Sequence, residues 1–98
     1  MFKIWSKVIT DHKIMKDYLY HSADKFDPEN FLSYLEEICH ELDIPTPVIL
    51  KNHVQNYTKF NITKFRPADF VEHVEFDSFQ IENAGDWKII AVFVLGGV

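Results

Sequence analysis

Several groupings of residues in this chain have the types and spacing for chemistry, and each has an ordinary structural reading beside it. Glu36 and His40 stand four apart, Glu37 and His40 three apart, and Asp43 follows. On a helix those spacings share a face, as in the Glu-x-x-His element of a di-iron bundle. That centre needs a second copy of the element and two further carboxylate-bearing helices, which the chain lacks, so no metal or other cofactor is expected. Cys39 and His40 are neighbours, but adjacent side chains diverge by about 100° on a helix and cannot form a nucleophile-base pair. Cys39 falls in an apolar stripe and reads as core, and His53 as a hydrogen-bonded histidine on the apolar side of its helix. With three glycines, there is no Gly-rich loop after a strand and no Ser or Thr elbow. The residues make no positive case for an enzyme.

Charge is segregated. From Ile44 to Ala68 there are four basic residues and no acid, whereas Asp24 to Asp43 holds seven acids against one lysine. Two helices of opposite sign joined by a short turn would offer Lys51, Asn52, Gln55, Asn56 and Lys59, with Lys64 and Arg66 nearby, as a nucleic-acid face. The ordinary reading is a solvated surface, and a net charge of −5 supports it. Four cations neutralise at most about four phosphates, a salt slope near about −3.6 and hence weak binding.

The elements that must position these residues follow from periodicity. Ninety-eight residues make one domain. Phe2–Thr10 and Lys13–His21 read as a β-hairpin around Asp11-His12, with Phe2, Ile4 and Val8 on the buried face. Asp27-Pro28 reads as the cap of a helix to about Leu42, burying Phe31, Leu32, Leu35, Ile38, Cys39 and Leu42. Thr46-Pro47 repeats the signal for a second helix to about Phe60, with Ile49, Leu50, His53, Val54, Tyr57 and Phe60 on its apolar side. Ile62–Phe65 is a short strand, and Val71–Ile81 a longer one bent at Asp77-Ser78. Trp87–Leu95, apolar without a break after Lys88, is the expected organising strand, buried on both faces. The fold class is α+β: an N-terminal β-hairpin, two consecutive helices and C-terminal antiparallel strands in one sheet of four or five strands.

Two helices on one face leave the other face of such a sheet uncovered, so a protein partner or self-association is expected. Trp5, Ile9, Trp87 and Phe93 are the candidate contacts. A single cysteine and the absence of an apolar signal core near Met1 point to the cytoplasm, and no run is long enough for a membrane anchor.

The stretch Glu37-Ile-Cys-His-Glu-Leu-Asp-Ile-Pro-Thr-Pro-Val-Ile-Leu-Lys-Asn-His-Val, with Asp69-Phe-Val-Glu and Phe76-Asp, resembles a group of short, uncharacterised bacterial proteins over residues 35 to 82. The resemblance implies a small cytoplasmic bacterial domain and brings no activity. The ending Leu95-Gly96-Gly97-Val98 is similar to the Gly-Gly tail of ubiquitin-like carriers. The second helix and the residue after Gly97 depart from their pattern, and a fraying terminus is the ordinary reading.

Overall fold

In the computed structural model, which describes residues 1–85, the N-terminal runs form antiparallel strands β1 (Phe2–Thr10) and β2 (Lys13–Ser22). Asp11 and His12 join them with φ of 52° and 64°, the left-handed values a type I′ turn needs at both central positions. Asp and His are among the few non-glycine types that enter this region readily. The register slips after Val8, leaving Met15 as the extra residue of a bulge in β2. Phe2, Ile4 and Val8 are buried in one row with Ser6, whose Oγ donates to the Tyr18 carbonyl at 2.7 Å.

Asp27 accepts the Glu29 N–H at 3.0 Å, but the residues it caps, Pro28–Asn30, form a 3-10 turn before α1 (Phe31–Leu42) begins. The helix buries Phe31, Tyr34, Leu35, Ile38, Cys39 and Leu42. Each such side chain contributes about 1.5–3 kcal/mol, so packing rather than propensity holds it. Leu32, placed in the stripe by its spacing, is exposed, and Tyr34 takes its place.

The second helix begins later than its cap signal suggests. Residues 44–50 carry no helix, and α2 spans Lys51–Phe60. Proline at 45 and at 47 pushes the residue before each out of the helical region, and the Val48 N–H is taken by the Asp69 carbonyl at 2.7 Å. The cap is supplied from inside the helix: the Leu50 N–H donates to His53 Nδ1 at 2.9 Å. His53 and Tyr57 are buried, Ile49 and Val54 partly so, and Leu50 and Phe60 are exposed.

Asn61, with φ of 63°, turns the chain directly into β3 (Ile62–Phe65). The expected strand over Val71–Ile81 is shorter, β4 being Ser78–Asn83. Val71 is 88% exposed, while Val74 and Phe76 pack on the core from a non-strand segment, Phe76 edge-on to Phe70. A bend at Asp77 was therefore the start of the strand, not an interruption in it. The sheet order is β2-β1-β4-β3, antiparallel throughout, and the chain is α+β as its pattern requires. The expected strand Trp87–Leu95 and the Gly96-Gly97 tail lie outside the described residues.

Candidate docking edge

Among the described residues β3 is an outer strand of the sheet, and the ladder fixes which of its main-chain groups are used. The Asn83 N–H donates to the Asn61 carbonyl at 2.8 Å. In an antiparallel ladder the bonded pairs recur at every second residue, so Thr63 and Phe65, opposite Ile81 and Phe79, face β4. Ile62 and Lys64 therefore turn their N–H and C=O groups outward, where no strand of the described residues meets them.

This edge has a wall. Asn56 and Phe60 stand one turn apart on α2 and, with Ile62, Thr63, Lys64 and Gln80, line a groove of about 380 Å³. Phe60 is 66% exposed and Ile62 is also exposed, so the groove presents apolar surface at a sheet edge. Thr63 is 3% exposed, and its Oγ1 is the buried side-chain polar atom without a hydrogen-bond partner among the described residues. Such a group costs about 1–3 kcal/mol.

The field along the edge has one sign. Lys51, Lys59, Lys64 and Arg66 are all exposed. Among the described residues Lys7 pairs with Glu82, His53 Nε2 lies 3.7 Å from Asp69 and His73 Nε2 lies 3.0 Å from Glu75, and none of these contacts uses those four cations. Two carboxylates flanking the strand pair are engaged elsewhere: Glu82, opposite Ile62, with Lys7 at 2.8 Å, and Asp69, three residues after Arg66, accepting the Arg66 N–H at 2.8 Å and facing His53 Nε2 at 3.7 Å. The His53 ring packs tilted against Phe65 with ring centroids 4.4 Å apart, which anchors β3 to α2 from the buried side.

The structure places Lys51, Asn52, Gln55, Asn56 and Lys59 on the exposed side of α2, with Lys64 exposed on β3 and Arg66 exposed just after it. Trp5 and Ile9 lie half-buried on the sheet face away from the helices, with Lys3 and Lys7. The Trp5 Nε1–H donates to Asp17 at 3.0 Å, and Lys7 Nζ sits 4.2 Å from the Trp5 ring centre. That face thus has an ion pair and a cation-π contact at its middle, beside its apolar residues. Trp87 and Phe93 lie outside the described residues.

Elsewhere the side chains offer less. Glu36, Glu37, His40 and Asp43 do not converge, and no group of three or more His, Cys, Asp or Glu side chains among the described residues is placed to hold a metal ion. Cys39 is buried, and desolvation pushes its thiol up to about 12 despite a hydrogen bond with Thr46, so it is no nucleophile at neutral pH. A smaller hollow of about 220 Å³ is lined by Phe2, Phe26, Tyr57, Thr58, Asn61 and Asn83. Its amides are spent on each other, Asn83 Nδ2 donating to Asn61 Oδ1 at 3.1 Å. Among the described residues no helix is long and apolar enough to cross a membrane.

Phe60, Ile62, Thr63 and Gln80 were not singled out from sequence. Phe60 follows Tyr57 by three residues and so joins the apolar stripe by its angle, but α2 ends there and the turn at Asn61 leaves the ring beyond the core. An apolar residue at the last helical position, followed by Asn and a short alternating strand, was the available signal. Comparisons of the chain with protein-family models, with curated proteins and with solved structures gave no match.

Proposed function

We propose that this chain is a non-enzymatic protein-interaction module that docks an extended segment of another protein along the outer edge of β3. The observation that carries the reading is the pair of outward-facing main-chain positions, Ile62 and Lys64, beside the exposed ring of Phe60. Addition of a strand to an open edge takes its affinity from main-chain bonds and its specificity from flanking side chains, and the groove supplies both. A cytoplasmic setting accompanies the reading, because a lone thiol such as Cys39 is kept reduced there.

The test is a photo-crosslinking amino acid placed singly at positions 62, 9 and 55 of the full chain in its own cells, with adducts digested by nuclease before analysis. A protein adduct of defined mass from position 62 supports edge docking. Adducts confined to position 9 would instead support an interface on the sheet's second face, including a homodimer.

Weak nucleic-acid binding is the second reading, favoured by the shared exposure of Lys51, Asn52, Gln55, Asn56 and Lys59 on one side of α2. It calls for nuclease-sensitive adducts at position 55 and for binding that falls steeply with salt. The exposed apolar ring and free sheet edge favour the protein reading, because neither is needed to contact phosphates.

A further inference from the structure

We infer that the strand received by β3 is acidic, alternating apolar residues with glutamate or aspartate; this rests on the edge reading above and names the partner's chemistry. An added strand would place one residue directly opposite Lys64 on the same face of the sheet, and another, two residues away, opposite Ile62. Opposite charges in such a pair stabilise it and like charges oppose it. The residue opposite Lys64 is therefore a carboxylate, and the one opposite Ile62, which shares that face in an alternating strand, is a second carboxylate within diagonal reach of Lys64. Between them lies a residue on the helix side, opposite Thr63, next to the wall formed by Asn56 and Phe60. That position takes an apolar side chain, since it meets the exposed ring.

The field beyond the contact pair points the same way. Lys59 lies in the last turn of α2, three residues before β3, and Arg66 directly follows β3, so cations flank in sequence a strand only four residues long. No acid occurs from Ile44 to Ala68. The chain's net charge of −5 is concentrated elsewhere. At physiological salt the Debye length is about 8 Å, so the local cations govern what the edge accepts. Lysine on an edge strand ordinarily discourages indiscriminate pairing, and here it selects: neutral strands gain little, basic strands are repelled, and a second copy brings cations to meet cations.

The experiment uses the full chain, 15N-labelled, titrated with three end-blocked eight-residue peptides that alternate valine with glutamate, with glutamine or with lysine, and with oligothymidylate. Amide shifts are followed at 50 and 200 mM salt. The expected result is binding of the glutamate peptide at least about tenfold tighter than the glutamine peptide, with the largest shifts at Ile62 and Lys64. Raised salt and the Lys59→Gln/Lys64→Gln double variant should each shrink that preference. Equal binding of the glutamine peptide at the same two amides would overturn acid selectivity and leave edge docking standing. Failure of every peptide to move those amides would overturn edge docking itself. Tighter binding of oligothymidylate than of the glutamate peptide would overturn the inference in favour of a nucleic-acid surface.

Discussion

Among the described residues the sheet has two outer edges, and they are built for different fates. β2 is ten residues long, carries the bulge at Met15, and ties two of its exposed charged side chains, Lys16 and Asp17, to other parts of the chain. Lys16 Nζ donates to the Leu42 carbonyl at 2.9 Å at the C-terminus of α1, and Asp17 accepts from Trp5. β3 is four residues long with no bulge, and Lys64 is bonded to nothing within the described residues. Both edges expose apolar side chains, Ile14, Met15 and Leu19 on one and Ile62 on the other. Exposure therefore does not separate them. What separates them is a wall and a sign: α2 stands beside β3 with Phe60 and a run of unopposed cations, whereas the charges on β2 are mixed. A free edge becomes a docking place when a neighbouring element gives the incoming strand something to lean on and a charge to match.

The comparison can be broken most forcefully by taking β3 off the core. Phe65 is fully buried, stacked on Phe79 with centroids 5.8 Å apart and packed at a tilt against His53. Phe65→Ala is expected to lower unfolding free energy by about 3–5 kcal/mol, read from urea denaturation. A loss below about 1 kcal/mol would mean that β3 is not held as described.

It is sharpened by paired surface variants. Phe60→Ser should change stability by no more than about 0.5 kcal/mol, since its ring is already in water, yet weaken docking at least about tenfold. Met15→Ser, the counterpart on β2, should leave docking unchanged in the same titration. Equal losses from both would erase the distinction between the edges.

High pH probes the helix layer that covers the sheet. Cys39, under α1, has its thiol raised from an ordinary 9.0 to about 12 by burial, and burial also raises the Tyr57 hydroxyl. The folded chain thus keeps a proton that the unfolded chain releases. Stability is full below pH 9 and falls as pH rises toward 12, by up to about 1.4 kcal/mol per pH unit for the thiol alone. Denaturant midpoints for the wild type and for Cys39→Ala should diverge less as pH rises through that window. Parallel curves would contradict the assignment.

The smallest effect lies in the hairpin turn that sets β2. His12 sits at φ of 64°, and glycine relieves that conformation at some entropic cost. His12→Gly should raise stability by about 0.5–1 kcal/mol, seen in thermal unfolding, without touching docking.

Much of this architecture could be read from the residues, for identifiable reasons. The hairpin strands, α1 and β3 follow alternation or helical spacing strong enough to survive packing, so their placement needed no knowledge of neighbours. The start of α2 could not be read, because Thr46-Pro47 is a genuine cap signal overridden by a distant partner, the Asp69 carbonyl that takes the Val48 N–H. The length of β4 was misjudged for a related reason: Val74 and Phe76 are apolar because they pack on the core from a loop, which alternation cannot distinguish from a strand. The cations of the docking edge were visible as an acid-free run, but their meaning was not. Nothing in a sequence says which strand will be outermost, and only the order β2-β1-β4-β3 turns Ile62 and Lys64 into an open edge beside Phe60.

The most direct measurement is amide hydrogen exchange of the full chain, free and with the valine-glutamate peptide. In the free protein Ile62 and Lys64 should exchange rapidly while Thr63 and Phe65 between and beside them are protected; peptide should slow Ile62 and Lys64 and leave Leu19 and His21 on β2 unchanged. Protection of Ile62 and Lys64 before any peptide is added, or protection by peptide at Leu19 and His21 instead, would contradict docking at the β3 edge.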